Sequence, residues 1–120
     1  MTKILIIDDN NFQRKKIISI VEENYDFEIT QAADGLEALK IVEEASPDII
    51  FCDIVMPNMD GIEFLSEATK KFPTIPVVML TSDTESTQKE KCRELGAKAF
   101  LGKPPTKDKL TFVINKILKT

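Results

Sequence analysis

A chain of 120 residues with 16 basic and 20 acidic side chains, a net charge of −4 and 42% hydrophobic content reads as one soluble globular domain with one core. The slight acidic excess favours neither nucleic acid nor an anionic membrane as partner, no apolar run approaches the roughly 20 residues of a membrane span, and no signal-peptide pattern opens the chain. Histidine is absent, so any chemistry must run on carboxylates, hydroxyls and lysines.

In chain order, five strand-like runs alternate with five helix-like segments. The first run, 3–7, is continuously apolar after its lysine and ends in Asp8-Asp9. The second, 27–32, alternates through Phe27-Glu28-Ile29-Thr30, as an edge strand does. Asp34-Gly35-Leu36-Glu37 then sets Asp at an N-cap with Glu three residues on, a capping-box-like start, and Leu36, Leu39 and Val42 predict its core-facing stripe. The third run, 48–52, is apolar and stops at Asp53, with Pro57 and Gly61 beyond it. Asp60-Gly61-Ile62-Glu63 repeats the capping pattern ahead of Leu65, Ala68 and Phe72. The fourth run, 75–80, ends in Thr81-Ser82. The helix expected over 84–95 is polar, with Cys92 and Leu95 its only sizeable apolar residues. The fifth run, 98–101, leads to Lys103-Pro104, and Leu110, Val113, Ile114, Ile117 and Leu118 mark a final amphipathic helix. Cys52 and Cys92 match no metal-site spacing and read as reduced thiols of a cytoplasmic protein.

Strands alternating with helices imply βαβ units, right-handed crossovers and an α/β fold with a doubly wound parallel sheet, the second and fifth strands at its edges. Sites in such sheets form at the carboxyl ends of the strands. Here those ends carry Asp8, Asp9, Asp53, Thr81 and Lys103. Singly, each has a plain structural reading. Acidic pairs recur at Glu22-Glu23 and Glu43-Glu44, an acidic residue after a strand often caps a helix, Thr-Ser marks turns, and Lys-Pro is a loop. Their conjunction on one rim points to chemistry. Clustered carboxylates repel one another, and a hard divalent cation relieves that repulsion; oxygen-only ligands beside a phosphate suit Mg²⁺. One carboxylate can then attack a phosphoryl group and form an acyl phosphate, while Lys103 and the Thr81 hydroxyl neutralise charge on the transferred oxygens.

The segments "ILIIDDN", "DIIFCDIVMPNMDG", "VVMLTS" and "GAKAFLGKP", in this order and at this spacing, resemble the receiver domain of two-component response regulators, in particular single-domain receivers of the chemotaxis-regulator type. The resemblance covers the whole chain, 1–120. It implies a flavodoxin-like five-stranded sheet of order 2-1-3-4-5. It implies that Asp53 accepts a phosphoryl group from a histidine kinase or phosphotransfer protein. Asp9 and Asp53 would ligate Mg²⁺ directly, Asp8 through a water, and Val55 through its backbone carbonyl. Lys103 and Thr81 would bind phosphoryl oxygens, and Phe100, a core residue by its surroundings in sequence, would turn inward with Thr81 as a switch. The Lys103-Pro104 bond would be cis. A downstream protein would dock on the face of the fourth helix, fifth strand and fifth helix. The chain would be a signalling domain that promotes its own phosphorylation and dephosphorylation, not an enzyme acting on other substrates.

Two departures from the family pattern stand out. Pro105 follows Pro104 where an aromatic or apolar residue is usual, stiffening the turn into the last helix, and Gln88 and Lys89 occupy usually apolar positions. The first half of the fourth helix, 84–91, is therefore expected to open more readily than the other helices. A haloacid-dehalogenase-type phosphatase fits less well, because it needs Asp-x-Asp after its first strand. A flavodoxin-like electron carrier needs a hydroxyl- and glycine-rich loop where "DDNN" stands. A degenerate receiver would lack acidic positions that are all present. The chain stops with its fifth helix, so it is read either as a single-domain regulator or as a receiver cut from a longer one.

Overall fold

A computed structural model describes residues 1–82 and 86–119, with the backbone alone at 86 and 87. The elements are β1 (Lys3–Ile7), α1 (Asn11–Asn24), β2 (Glu28–Ala32), α2 (Gly35–Ala45), β3 (Ile49–Asp53), α3 (Gly61–Lys71), β4 (Val77–Thr81), α4 (Ser86–Glu94), β5 (Ala99–Gly102) and α5 (Lys107–Leu118). The five strands are parallel, in the order β2-β1-β3-β4-β5 that the resemblance implied. Two bounds matter for the site: β3 takes in Asp53 and β4 takes in Thr81.

Strand side chains alternate between faces, and here both faces are covered. Leu5, Ile7, Ile50, Cys52, Val77 and Met79 join the core beneath α2, α3 and α4. Ile4, Ile6, Ile49, Phe51, Val78 and Leu80 join a second core with Ile17, Val21, Leu110 and Ile114 of α1 and α5. Every residue of β3 and β4 is therefore buried, while β2 and β5, at the edges, are only partly so. Cys52 and Cys92 are both buried, and neither forms a disulfide.

Helix starts follow the capping chemistry. Asp34 and Asp60 accept hydrogen bonds from the backbone N–H of Glu37 and Glu63, each at 2.9 Å, and Glu37 Oε1 reaches back to the N–H of Ala33 at 2.9 Å. Asn10 and Thr106 cap α1 and α5 in the same way. Of the stripe expected on α2, Val42 is buried and Leu39 packs against the core, but Leu36 needs correction. Leu36 is 55% exposed, and the buried face runs through Gly35, Ala38 and Val42. The reason is local: the N–H of Gly35 donates to the carbonyl of Met59 at 3.1 Å, and a Cβ there would lie 2.8 Å from Met59 Cγ. That close approach turns the Gly35 side of the helix inward. In α4, residues 84 and 85 of the expected span lie outside the described residues, and Leu95 follows the helix rather than ending it.

Candidate functional site

The parallel register assembles the rim. β1 and β3 pair as far as Ile7 with Cys52, so one further residue on each strand brings Asp8 beside Asp53. β4 and β5 end with Thr81 paired to Gly102, and the N–H of Lys103 donates to the Thr81 carbonyl at 2.8 Å. Lys103 thereby enters the rim from β5, and its ammonium sits 2.5 Å from Asp53 Oδ1. The Lys103-Pro104 bond is cis, as the resemblance implied.

Asp53 is 4% exposed, and its Oδ1 also accepts the N–H of Ile54 at 2.9 Å. Among the described residues, both of these contacts fall on Oδ1 rather than Oδ2. Burial pushes the Asp53 carboxyl up to about 6, with the charge of Asp8 adding to the rise; the hydrogen bond and charge of Lys103 act against it. Asp8 is fully buried. Its Oδ1 accepts the N–H of Asn10 at 2.9 Å, and its Oδ2 has no hydrogen-bond partner among the described residues. An orphaned buried carboxylate oxygen is costly and calls for a partner. One oxygen each of Asp8, Asp9 and Asp53 lie within 4.8 Å of one another, Asp9 being exposed at the mouth. The set fits a hard divalent cation, which would supply the missing partner and offset the repulsion.

Thr81 is buried, and its hydroxyl points to the Leu101 carbonyl at 3.5 Å, a weak contact to give up. Val55 follows Asp53 by two residues in the β3–α3 loop, with its side chain exposed. Phe100 is half-buried rather than fully in the core, its ring covered by Lys89 Nζ and Arg93 Cζ, each 5.3 Å from its centroid.

The family model of the response regulator receiver domain matches residues 4–115. The chain belongs to that family. The receiver is 38% identical over 120 residues to the chemotaxis protein CheY of Listeria monocytogenes, covering 99% of this chain and all of the relative. It superposes on the crystal structure of a putative response regulator from Chloroflexus aurantiacus with a TM-score of 0.91 at 27% identity, covering 99% and 98% of the two chains. With the chemotaxis response regulator CheY4 of Vibrio cholerae the TM-score is 0.88 at 30% identity, over 98% of each chain. The receiver is thus a domain of two-component signalling, and among its described residues no helix is long and apolar enough to cross a membrane.

Three residues hold the receiver's rim in shape, and two of them, Asn58 and Arg14, escaped the sequence reading. Asn58, at a left-handed φ of 65°, donates from Nδ2 to Asp34 Oδ2 at 2.9 Å and ties the β3–α3 loop to the start of α2. Gly61 donates its N–H to the Ile54 carbonyl at 2.7 Å, and a Cβ there would collide with the Asp53 carbonyl. Arg14 grips the β1–α1 loop. Asn58 and Gly61 carried the usual turn signature; Arg14, one turn into α1, carried none.

Proposed function

We propose that residues 1–120 form a phosphorylation-competent receiver in which Asp53 takes a phosphoryl group from the phosphohistidine of a histidine kinase or phosphotransfer protein. The observation that carries this reading is the buried Asp53 carboxylate, held through Oδ1 by Lys103 and Ile54 with Oδ2 left over, next to the orphaned Oδ2 of Asp8. The Asp53 carboxylate attacks phosphorus, the P–N bond breaks, and its electron pair returns to the donor imidazole, which takes up a proton. Bound Mg²⁺ would be held by Asp9, Asp53 and the Val55 carbonyl, with Asp8 acting through a water, and would neutralise charge on the phosphoryl oxygens. Lys103, already on Asp53, moves to a phosphoryl oxygen, and the Thr81 hydroxyl exchanges its long contact with Leu101 for another.

Drawing Thr81 inward makes room for Phe100 and alters the face of α4, β5 and α5, where a cytoplasmic target protein docks. That face carries the exposed Phe112 beside Phe100, Lys109 and Val113. The phosphoryl contact at Thr81 is the differential interaction that shifts the two populations. The domain promotes its own phosphorylation and dephosphorylation and has no turnover on other substrates. Incubation with Mg²⁺ and acetyl phosphate is expected to add one base-labile phosphoryl group, seen as a single mass increment by intact-protein mass spectrometry. Asp53→Asn abolishes it and Asp9→Ala slows it; stoichiometric labelling of Asp53→Asn overturns the assignment.

A further inference from the structure

The β1–α1 loop, which carries Asp8 and Asp9, is gripped from one side by a single guanidinium. Arg14 Nη1 donates to the backbone carbonyl of Asp8, within the peptide that joins the two carboxylate residues. Nε donates to Gln31 Oε1 on β2 at 2.7 Å, and Nη2 to Asn11 Oδ1 at the start of α1 at 2.5 Å. The other restraints on this loop among the described residues are the N–H of Asp8 to the Ala32 carbonyl at 3.1 Å, the N–H of Asn10 to Asp8 Oδ1 at 2.9 Å, and the bonds that tie Asn10 to α1, from the N–H of Gln13 to Asn10 Oδ1 at 2.9 Å and from the N–H of Arg14 to the Asn10 carbonyl at 3.0 Å. Among these contacts, the planar fork of Arg14 is the one that joins β2, the loop and α1 in a fixed geometry, which a lysine ammonium cannot reproduce.

A cation so near an acidic cluster has two opposing effects on a divalent metal. Its charge repels the metal and weakens binding. Its hydrogen bonds hold the Asp8-Asp9 peptide against the mutual repulsion of carboxylates whose oxygens lie within 4.8 Å of one another, and so strengthen binding. The first effect is blunted because three oxygens share the guanidinium charge, while Asp9, exposed at the mouth, has most to lose from a loosened loop.

Resting on the proposed metal site, we infer that Arg14 is a positioning residue for the divalent cation: it raises metal affinity by fixing the Asp8-Asp9 loop, although its own charge opposes the metal. Removing an outer-shell partner of a metal ligand costs roughly tenfold or more in affinity. Direct Mn²⁺ titration of the unphosphorylated protein, with free Mn²⁺ read by electron paramagnetic resonance, tests this without reference to labelling. Arg14→Gln, folded by circular dichroism, is expected to bind Mn²⁺ about tenfold more weakly, with Arg14→Lys in between. Equal or tighter binding by Arg14→Gln means that charge outweighs positioning and overturns the inference. Should Arg14→Gln not fold, Gln31→Leu decides in its place: it removes one tether and keeps the charge, so weakened binding supports the inference and unchanged binding overturns it. Failure of the wild type to bind Mn²⁺, or wild-type affinity in Asp9→Ala, overturns the metal site itself.

Discussion

Asp53 combines burial, a lysine partner and a carboxylate neighbour, and its ionised form is the costly one. A carboxyl raised from 3.8 to about 6 binds its proton more tightly in the folded chain than in the unfolded one. Its contribution to stability is therefore complete below about pH 4 and is lost as pH rises towards 6, a difference of about 3 kcal/mol between the protonation states. Asp53→Asn, a neutral isostere, should accordingly stabilise the metal-free receiver by about 2 kcal/mol at pH 7.5, with the gain closing as pH falls through 6 to 4.5. Urea unfolding in EDTA at the two pH values measures it; a variant less stable at pH 7.5, or a gain that does not change with pH, contradicts the account. Gly61 acts at the same scale. A methyl group there meets the backbone of Asp53 and sits 2.8 Å from Ile54 Cα, and backbone cannot yield as a flexible side chain does. Gly61→Ala is expected to cost about 2 kcal/mol in unfolding free energy and to slow labelling of Asp53, since overpacking of this order displaces neighbours. Unchanged stability and labelling would show that α3 slides away freely.

At the level of elements, α4 is the exception among the helices. Cys92 is its buried apolar residue, whereas α3 buries Phe64, Leu65 and Ala68, and α5 buries Leu110 and Ile114. Gln88 and Lys89 are half-buried, and the Lys89 ammonium lies over the Phe100 ring with Arg93 beside it. Two cations of α4 thus lie over a residue of β5, where α3 and α5 set apolar side chains. Cation–π contacts at partly exposed sites contribute only about 0.5–1 kcal/mol each, less than a buried leucine. The amides of Glu90 and Lys91, one turn into α4, should therefore exchange with solvent faster than those of Thr111 and Phe112, one turn into α5. A stable phosphoryl analogue should slow the α4 amides selectively. Equal protection of the two pairs in the unmodified protein would defeat the prediction.

For the molecule as a whole, the fold was legible because both of its periodicities were strong. Continuous apolar runs at 4–7, 49–52 and 77–80 announced strands buried on two faces, and the two Asp-x-x-Glu caps fixed the starts of α2 and α3. The polar residues of the rim were legible too, because a carboxylate at the end of an apolar strand breaks the pattern that burial imposes. By itself, then, the sequence determined the alternation of strands and helices, the parallel sheet and the set of polar groups on its rim, all through local patterns of polarity. Tertiary structure alone decided the rest. Register brought Asp8 alongside Asp53 and Lys103 onto its Oδ1; the contact with Met59 turned Gly35 rather than Leu36 inward; and the Arg14 fork closed on Asp8, Asn11 and Gln31. These are contacts between residues distant in sequence or across a loop, and their geometry is set by the packing of two cores on one twisted sheet, which no local pattern encodes.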